Sequence, residues 1–182
     1  MEGEHLLTRR QGRGTFVNDQ SSDEMAMRFN NIRGKDGERV TGRVRTLEVT
    51  QGKATDKERD RLSLQPLEAV YRIRRIRLHN DRPFMAEETS FPAALFPGLS
   101  DSKNPPHRIT VLSQQYGLLL GRAVERISVG RASPAVAADL GLAPDAPLMV
   151  LDRVVHDLDG RPVEWRTGYC HFADQYYQAE IG

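Results

Sequence analysis

The sequence is poor in cysteine, since Cys170 is the single one among its 182 residues. A lone cysteine excludes an intramolecular disulfide, and unpaired thiols are typical of the reducing cytoplasm, so we expect a cytoplasmic protein. We expect Cys170 itself to be a half-buried strand residue, and a nucleophilic role is the weaker interpretation.

Long hydrophobic runs are also lacking. No apolar stretch approaches the roughly 20 residues that a membrane-spanning helix needs. The first residues show no pattern of a secretory signal peptide. With 38% hydrophobic and 28% charged residues, the composition is that of a soluble globular chain, and we expect no membrane partner.

The chain has no large excess of either charge and no known motif of a catalytic or cofactor site. Its formal net charge of +1 is too balanced for a protein that coats nucleic acid over its whole surface. His107, His156 and His171 have no neighbouring Cys, His or Asp at the spacing of a metal site. No glycine-rich nucleotide loop or Ser–His–Asp arrangement is found either. We therefore expect no metal, no cofactor and no catalytic residue.

The basic charge that is present is local, and its first cluster lies between residues 6 and 17. There, two β-prone segments flank a tip of Arg, Gln and Gly, which predicts a hairpin with a flexible, positively charged tip. Such a tip suits DNA, because glycine lets the backbone approach closely and arginine supplies the charge. The predicted DNA contacts are Arg10, Gln11, Gly12, Arg13 and Gly14.

Two later parts of the chain repeat one pattern of a strand, a short helix and a β-hairpin. Thr55 and Glu58 form a capping box in the first part, while Ser133 and Pro134 start the second helix and Gly141 ends it. The predicted helices cover 55–62, 107–116 and 133–141. The predicted strands cover 43–49, 69–78, 84–91, 118–129, 148–156 and 163–171. The repeat predicts an α+β fold, internally duplicated, with a mainly antiparallel sheet; chance similarity of two hairpins is the alternative.

The strand over 69–78 carries the clearest signal of a site. Alternate residues of a strand share a face, which divides this strand into two sets. The sets are Tyr71, Ile73, Arg75 and Arg77 on one face, and Arg72, Arg74, Ile76 and Leu78 on the other. Burying an unpaired charge costs several kcal/mol, so arginines at the edge of an apolar face need carboxylates, water or an anionic ligand. Glu87 on the returning strand is placed to hold one of them. A ladder of surface salt bridges is the alternative, and these residues alone favour it.

The same residues resemble those of a known family. The run Gln-Gly-Arg-Gly-Thr-x-Val, which ends at Val17, resembles the wing of the winged helix-turn-helix domain of GntR-type bacterial transcription regulators. Residues 25–178 resemble the UbiC transcription regulator-associated (UTRA) domain of the HutC-type branch. The residues that carry this second resemblance are Arg75-Ile76-Arg77-Leu78, the turn before Pro83, Glu87, Phe96-Pro97, Asp159 to Glu164, and Asp174-Gln175-Tyr176.

The resemblance implies a ligand-sensing module of a homodimeric bacterial transcription regulator with a chorismate lyase-like (UTRA) fold. It implies a remnant wing at 1–17, a linker at 18–24 and an effector-binding domain at 25–182. DNA would then be read mainly by an N-terminal winged-helix domain that is absent from this sequence. The effector would be a small anion with a carboxylate or phosphate group.

The resemblance also implies roles for individual residues. In the family, arginines matching Arg75 and Arg77 hold the acidic group of the effector, and a glutamate matching Glu87 binds its polar part. Glu164 matches a further residue that contacts the ligand. Three more positions near the expected pocket are candidates for effector contacts, namely His107, Tyr169 and His171.

Two rival hypotheses remain at this stage. The UTRA fold is similar to that of chorismate pyruvate-lyase, an enzyme that also holds a dicarboxylate with arginines and a glutamate. The wing distinguishes the two, because a lyase has no use for residues 6–17. A dimerisation module without a ligand is the third hypothesis, and the paired arginines argue against it.

Overall fold

The computed structural model describes residues 7–10, 14–17, 28–102 and 104–180. Strands β1 (Leu7–Arg10) and β2 (Gly14–Val17) pair antiparallel, which confirms the predicted hairpin. The predicted tip residues Gln11, Gly12 and Arg13 and the predicted linker at 18–24 lie outside the described residues.

A six-stranded antiparallel sheet forms the centre of the fold. Its strands are β4 (Arg43–Lys53), β5 (Ala69–His79), β6 (Arg82–Pro92), β7 (Leu120–Arg131), β8 (Pro147–Asp157) and β9 (Pro162–Cys170). The described residues also form three α-helices, α1 (Asp56–Leu62), α2 (Ile109–Gln115) and α3 (Pro134–Leu140), and two short 3-10 helices at Ala93–Leu95 and Leu99–Asp101. A second sheet pairs β3 (Ile32–Gly34) with β10 (Gln175–Tyr177).

The order of the strands confirms the internal duplication. Across the sheet the order is β4-β5-β6-β9-β8-β7, so each half reads in chain order from its own edge inward. Helix α1 follows β4, α3 follows β7, and α2 connects the halves. The two repeats therefore meet where β6 pairs with β9, and a pseudo-twofold axis passes between these strands.

The helix ends follow local chemistry where capping residues are present. Both halves of the predicted capping box form at Thr55 and Glu58, and the Ser133 side chain accepts a hydrogen bond from the Val136 backbone N–H. Helix α2 instead begins at Ile109, two residues later than the spacing predicts. Its N-cap residue makes no side-chain cap, so nothing local extends the helix toward residue 107.

The two faces of the sheet are covered differently. Helices α1 and α3 lie on one face, where Arg72 donates to Glu58 over 2.7 Å and Arg74 to Asp139 over 2.8 Å. On the other face, Tyr71 and Ile73 pack in a core with residues of α2. The predicted division of β5 into two faces is therefore confirmed for four residues, since Arg72 and Arg74 lie on one face and Tyr71 and Ile73 on the other.

The buried carboxylate of Glu58 links α1 to the sheet. It is 4% exposed, caps the helix, binds Arg72 and accepts a hydrogen bond from the Ser90 hydroxyl over 2.8 Å. Burial by itself would raise the pKa of Glu58, but the hydrogen bonds from Arg72, Thr55 and Ser90 lower it to about 2. The ionised form is thus the one that stabilises the fold.

We expect Glu58→Gln to lower the free energy of unfolding by about 2–3 kcal/mol at pH 7. This lies below the roughly 3–5 kcal/mol for breaking a fully buried ion pair, because solvent reaches part of the Arg72 side chain. Because the pKa of Glu58 is lower in the folded than in the unfolded protein, its ionised carboxylate stabilises the fold most above the unfolded pKa. The loss caused by the substitution is therefore full above about pH 5 and shrinks toward pH 2.

Urea unfolding over a pH series measures this difference. The control is Glu48→Gln, which removes an exposed carboxylate 3.7 Å from Arg74 on the same face. Equal losses for the two variants, or a loss for Glu58→Gln that persists unchanged at pH 2, would contradict the assignment.

Candidate functional site

A row of charged side chains crosses the sheet on the face that α2 covers. Arg77 on β5 and Arg166 on β9 both donate to Glu87 Oε2 on β6, over 2.9 and 3.2 Å. Further along the row, Arg153 on β8 donates to Glu125 Oε1 on β7 over 2.7 Å. All five side chains line one cleft, which therefore lies where the two repeats meet.

Glu87 is the carboxylate at the centre of this row. Its side chain is 2% exposed. Burial alone would raise the pKa of Glu87, but the positive charges of Arg77 and Arg166 lower it to about 2. The carboxylate is therefore ionised at neutral pH, and it joins an arginine of the first repeat to an arginine of the second.

Arg75 lies behind the cleft and not in its lining. It is 3% exposed, and its Nη2 donates to the backbone carbonyls of Pro105 and Pro106 over 2.9 and 3.2 Å. Burial lowers the pKa of Arg75 to about 10, so the guanidinium stays charged at neutral pH. The structure thus gives the two arginines different surroundings: Arg77 borders the cleft, and Arg75 binds the segment before α2. Their convergence on one anion stays a prediction.

Two segments form the walls of the cleft above the sheet. One contains His107, which precedes α2, and Thr110, which lies in the first turn of α2. The other contains Phe29 and Asn31, which precede β3. The Asn31 amide donates to the Tyr177 hydroxyl, and that hydroxyl donates to Glu125. Pairing of β3 with β10 therefore ties the second wall to the charged row.

His107 lies in a positively charged part of the cleft. Burial lowers its pKa, and the neighbouring positive charges of Arg77, Arg108 and Arg75 lower it further, to about 4. The imidazole is therefore neutral at physiological pH, where it offers one donor and one acceptor instead of a charge.

Three other predicted site residues do not line the cleft. Glu164 is 3% exposed and lies beside it, with Oε1 3.9 Å from Arg166 Nε. Tyr169 packs against the apolar cluster that contains α3, on the opposite face of the sheet. His171 lines a separate apolar groove with Phe172. Residues of β9 alternate between the faces, so Arg166 points to the cleft and Tyr169 does not. The structure does not bring Tyr169 or His171 to the cleft, and their contacts with an effector stay a prediction.

The site residues predicted from the sequence do not include four that line the cleft, namely Arg153, Arg166, Glu125 and Tyr177. Arg166 had a usable signal, because it follows Glu164 by two residues in the same strand and so shares its face. Glu125 and Tyr177 had none. They reach the cleft from the sheet edge at β7 and from β10, and both positions depend on pairing between distant strands.

Other kinds of site find little support in the described ranges. Cys170 is 1% exposed, and burial raises the pKa of its thiol to about 12, so it stays protonated. No group of three or more His, Cys, Asp or Glu residues within these ranges is arranged to hold a metal ion. Nor does any helix there have the length and apolar content that crossing a bilayer requires.

Comparison with known proteins identifies a family model and a relative. The UTRA domain model matches residues 38–176. The HTH-type transcriptional regulator Rv0792c of Mycobacterium tuberculosis is 32% identical in an alignment that covers 96% of this chain and 65% of that regulator. The chain thus spans just under two thirds of the length of this curated relative.

Solved structures show the same fold. The ligand-binding domain of a GntR-family transcriptional regulator from Bordetella bronchiseptica superposes with a TM-score of 0.75 at 27% identity, covering 85% of this chain and 98% of that one. The effector domain of PhnF from Mycobacterium smegmatis gives 0.66 at 21% identity, covering 70% and 79% of the two chains. At that identity the second match shows similarity of fold alone.

We expect the titration midpoint of His107, followed by NMR of its ring signals, to lie near pH 4. Arg77→Gln should raise the midpoint because it removes a neighbouring positive charge. Since the folded pKa lies below the ordinary value of 6.5, the unfolded state binds more protons between about pH 4 and 6.5, so stability rises with pH over that range. Arg74→Gln, on the other face of the sheet, is the control. A wild-type midpoint near 6.5, or equal shifts in both variants, would disprove this description of the cleft.

Proposed function

The chain belongs to the UTRA domain family of GntR-type transcription regulators, and we propose that its cleft binds a small anionic effector with a carboxylate or phosphate group. It is the effector-binding domain of such a regulator. The observation that carries the proposal is the charge of the cleft, because four arginines and two glutamates line it.

The arginines retain capacity for a ligand. Arg77 Nε and Thr110 Oγ1 are buried and have no hydrogen-bond partner among the residues that the structure describes. Buried polar atoms are nearly always paired, so these atoms favour a bound group that completes them. A guanidinium fork fits the two oxygens of a carboxylate or phosphate best.

We assign roles within this proposal as follows. Arg77 binds the anionic group, Glu87 orients Arg77, and neutral His107 supplies a hydrogen bond. Arg75 acts indirectly, because it holds the backbone at Pro105 and Pro106 beside the cleft wall. Glu164 supports the charge of Arg166 without contacting the effector.

The regulatory mechanism that we propose is linkage in a homodimer. The effector binds one arrangement of the two subunits more tightly than the other, and so changes how two DNA-reading units fit a symmetric operator. The hairpin of β1 and β2 contributes DNA contacts in this scheme, through Arg10 and Gly14 and the tip residues between them. Regulators of this kind act in the cytoplasm, where we place the protein.

A chorismate pyruvate-lyase-like enzyme is the alternative function. The proteins that this chain matches are transcription regulators, which favours sensing over catalysis. Formation of pyruvate from chorismate by the purified chain would support the alternative.

We expect small anions to raise the melting temperature of the chain. Arg77→Gln should weaken their binding by about tenfold or more, because a charge-assisted hydrogen bond contributes roughly 1.5–3 kcal/mol. The probes are acetate and inorganic phosphate, with neutral acetamide at matched ionic strength. Arg74→Gln is the matched control, since Arg74 is paired with Asp139 on the other face. The proposal would be contradicted if acetamide raised the melting temperature as much as the anions do, or if both variants lost the same anion affinity.

The chain should form a homodimer in solution. Twofold symmetry in a regulator mirrors the symmetry of its operator, and the linkage mechanism requires two subunits. Multi-angle light scattering over a micromolar dilution series measures the mass. A monomeric mass throughout the series would exclude the dimer mechanism for this chain.

A further inference from the structure

The pseudo-twofold axis relates a pair of residues in the first repeat to a pair in the second. Arg75 and Arg153 each lie 20 residues after the N-cap of their repeat's helix, Thr55 and Ser133. On the returning strands, the residue four positions after the hairpin proline is Glu87 in one repeat and Arg166 in the other. Both pairs are direct cross-strand partners in the sheet.

The equivalent pairs differ in charge. Arg75 faces Glu87, so the pair of the first repeat combines opposite charges. Arg153 faces Arg166, so the pair of the second repeat places two cations opposite each other. Like charges in directly opposed positions destabilise a sheet, and burial makes the repulsion more severe. Arg153 is 5% exposed, and burial together with the charge of Arg166 lowers its pKa.

The surrounding carboxylates compensate Arg166 better than Arg153, since they raise the pKa of Arg166, whereas burial and the charge of Arg166 lower the pKa of Arg153. Both Nε and Nη2 of Arg153 bind the same oxygen of Glu125, at 2.7 Å each. Arg166 shares Glu87 with Arg77, and its Nε also lies 3.9 Å from Glu164 Oε1. Arg153 Nη1 is buried and has no hydrogen-bond partner within the described ranges. A buried guanidinium nitrogen without an acceptor, next to a second guanidinium, is the arrangement that an anion completes.

We propose that Arg153 and Arg166 form a second anion subsite in the cleft, and that the effector carries two separate anionic groups. One group binds Arg77, and the other bridges Arg153 and Arg166 of the second repeat. The inference rests on the proposed function and specifies its ligand as a dianion, such as a dicarboxylate or a phosphorylated carboxylic acid.

Titration with inorganic phosphate at constant ionic strength tests the subsite. The readout is the NMR signal of each arginine Nε–H. We expect the signals of Arg153 and Arg166 to shift with one common midpoint, and Arg166→Gln to weaken phosphate binding at Arg153 by about tenfold or more. Arg161→Gln is the matched control, because the exposed Arg161 lies on the turn of the same hairpin, is not among the residues that line the cleft and pairs with Asp157.

The possible outcomes separate the two proposals. Shifts at Arg77 alone would overturn the second subsite and leave the anionic effector in place. No shift at any of the three arginines would overturn both. If Arg166→Gln does not fold, Arg153→Lys provides the same test, because it keeps the charge and loses the planar fork; unchanged phosphate affinity in that variant would overturn the subsite.

The class of effector is tested with malonate, succinate and glutarate and their monoamides. At least one diacid should bind wild type about tenfold more tightly than its monoamide, and this preference should disappear in Arg166→Gln while Arg161→Gln keeps it. Equal binding of every diacid and its monoamide would show that the effector needs one anionic group and would overturn the dianion assignment.

Discussion

Glu87 places a negative charge at the centre of the sheet, and the arrangement of the cleft follows from the need of that charge for partners. Its carboxylate is almost fully buried and accepts from Arg77 on one side and Arg166 on the other. Breaking a buried ion pair costs roughly 3–5 kcal/mol, so both guanidinium groups are held tightly to the seam between the repeats. The register of β6 and β9 is therefore coupled to the cleft, since a slip by one residue would turn these side chains to the other face.

The two faces of the sheet use arginine in different ways. On the face that α1 and α3 cover, arginines have near neighbours of opposite charge: Arg72 has Glu58, and Arg74 has Asp139. On the cleft face the carboxylates are shared, because Glu87 serves two arginines. The first arrangement satisfies its charges and holds the helices on the sheet. The second leaves Arg77 Nε and Arg153 Nη1 buried without a hydrogen-bond partner among the described residues, which is the observation behind the proposed anion sites.

Duplication supplied two similar backbones, and the side chains at equivalent positions then took different roles. Arg75 became structural, since it holds the carbonyls of Pro105 and Pro106 and thereby the wall before α2. Its equivalent Arg153 borders the cleft beside Arg166. The asymmetry of the site therefore comes from sequence differences on a nearly symmetric framework. A ligand can be oriented in such a cleft because its two sides carry different groups.

The sequence by itself determined what depends on neighbours within a few residues. The capping box at Thr55, the end of α3 at Gly141 and the alternation along β5 all follow from local hydrogen bonds and strand geometry, and the repeat of these signals sufficed to predict the fold. It also singled out Arg77 and Glu87, because a motif and its resemblance mark them, and His107, because it lies near the expected pocket. Only the tertiary structure decided that Arg166 meets Glu87, that Arg75 binds the backbone before α2, and that Tyr169 lies on the opposite face. These outcomes depend on the pairing of β6 with β9 and on the path of the chain before α2, which residues far apart in sequence define together.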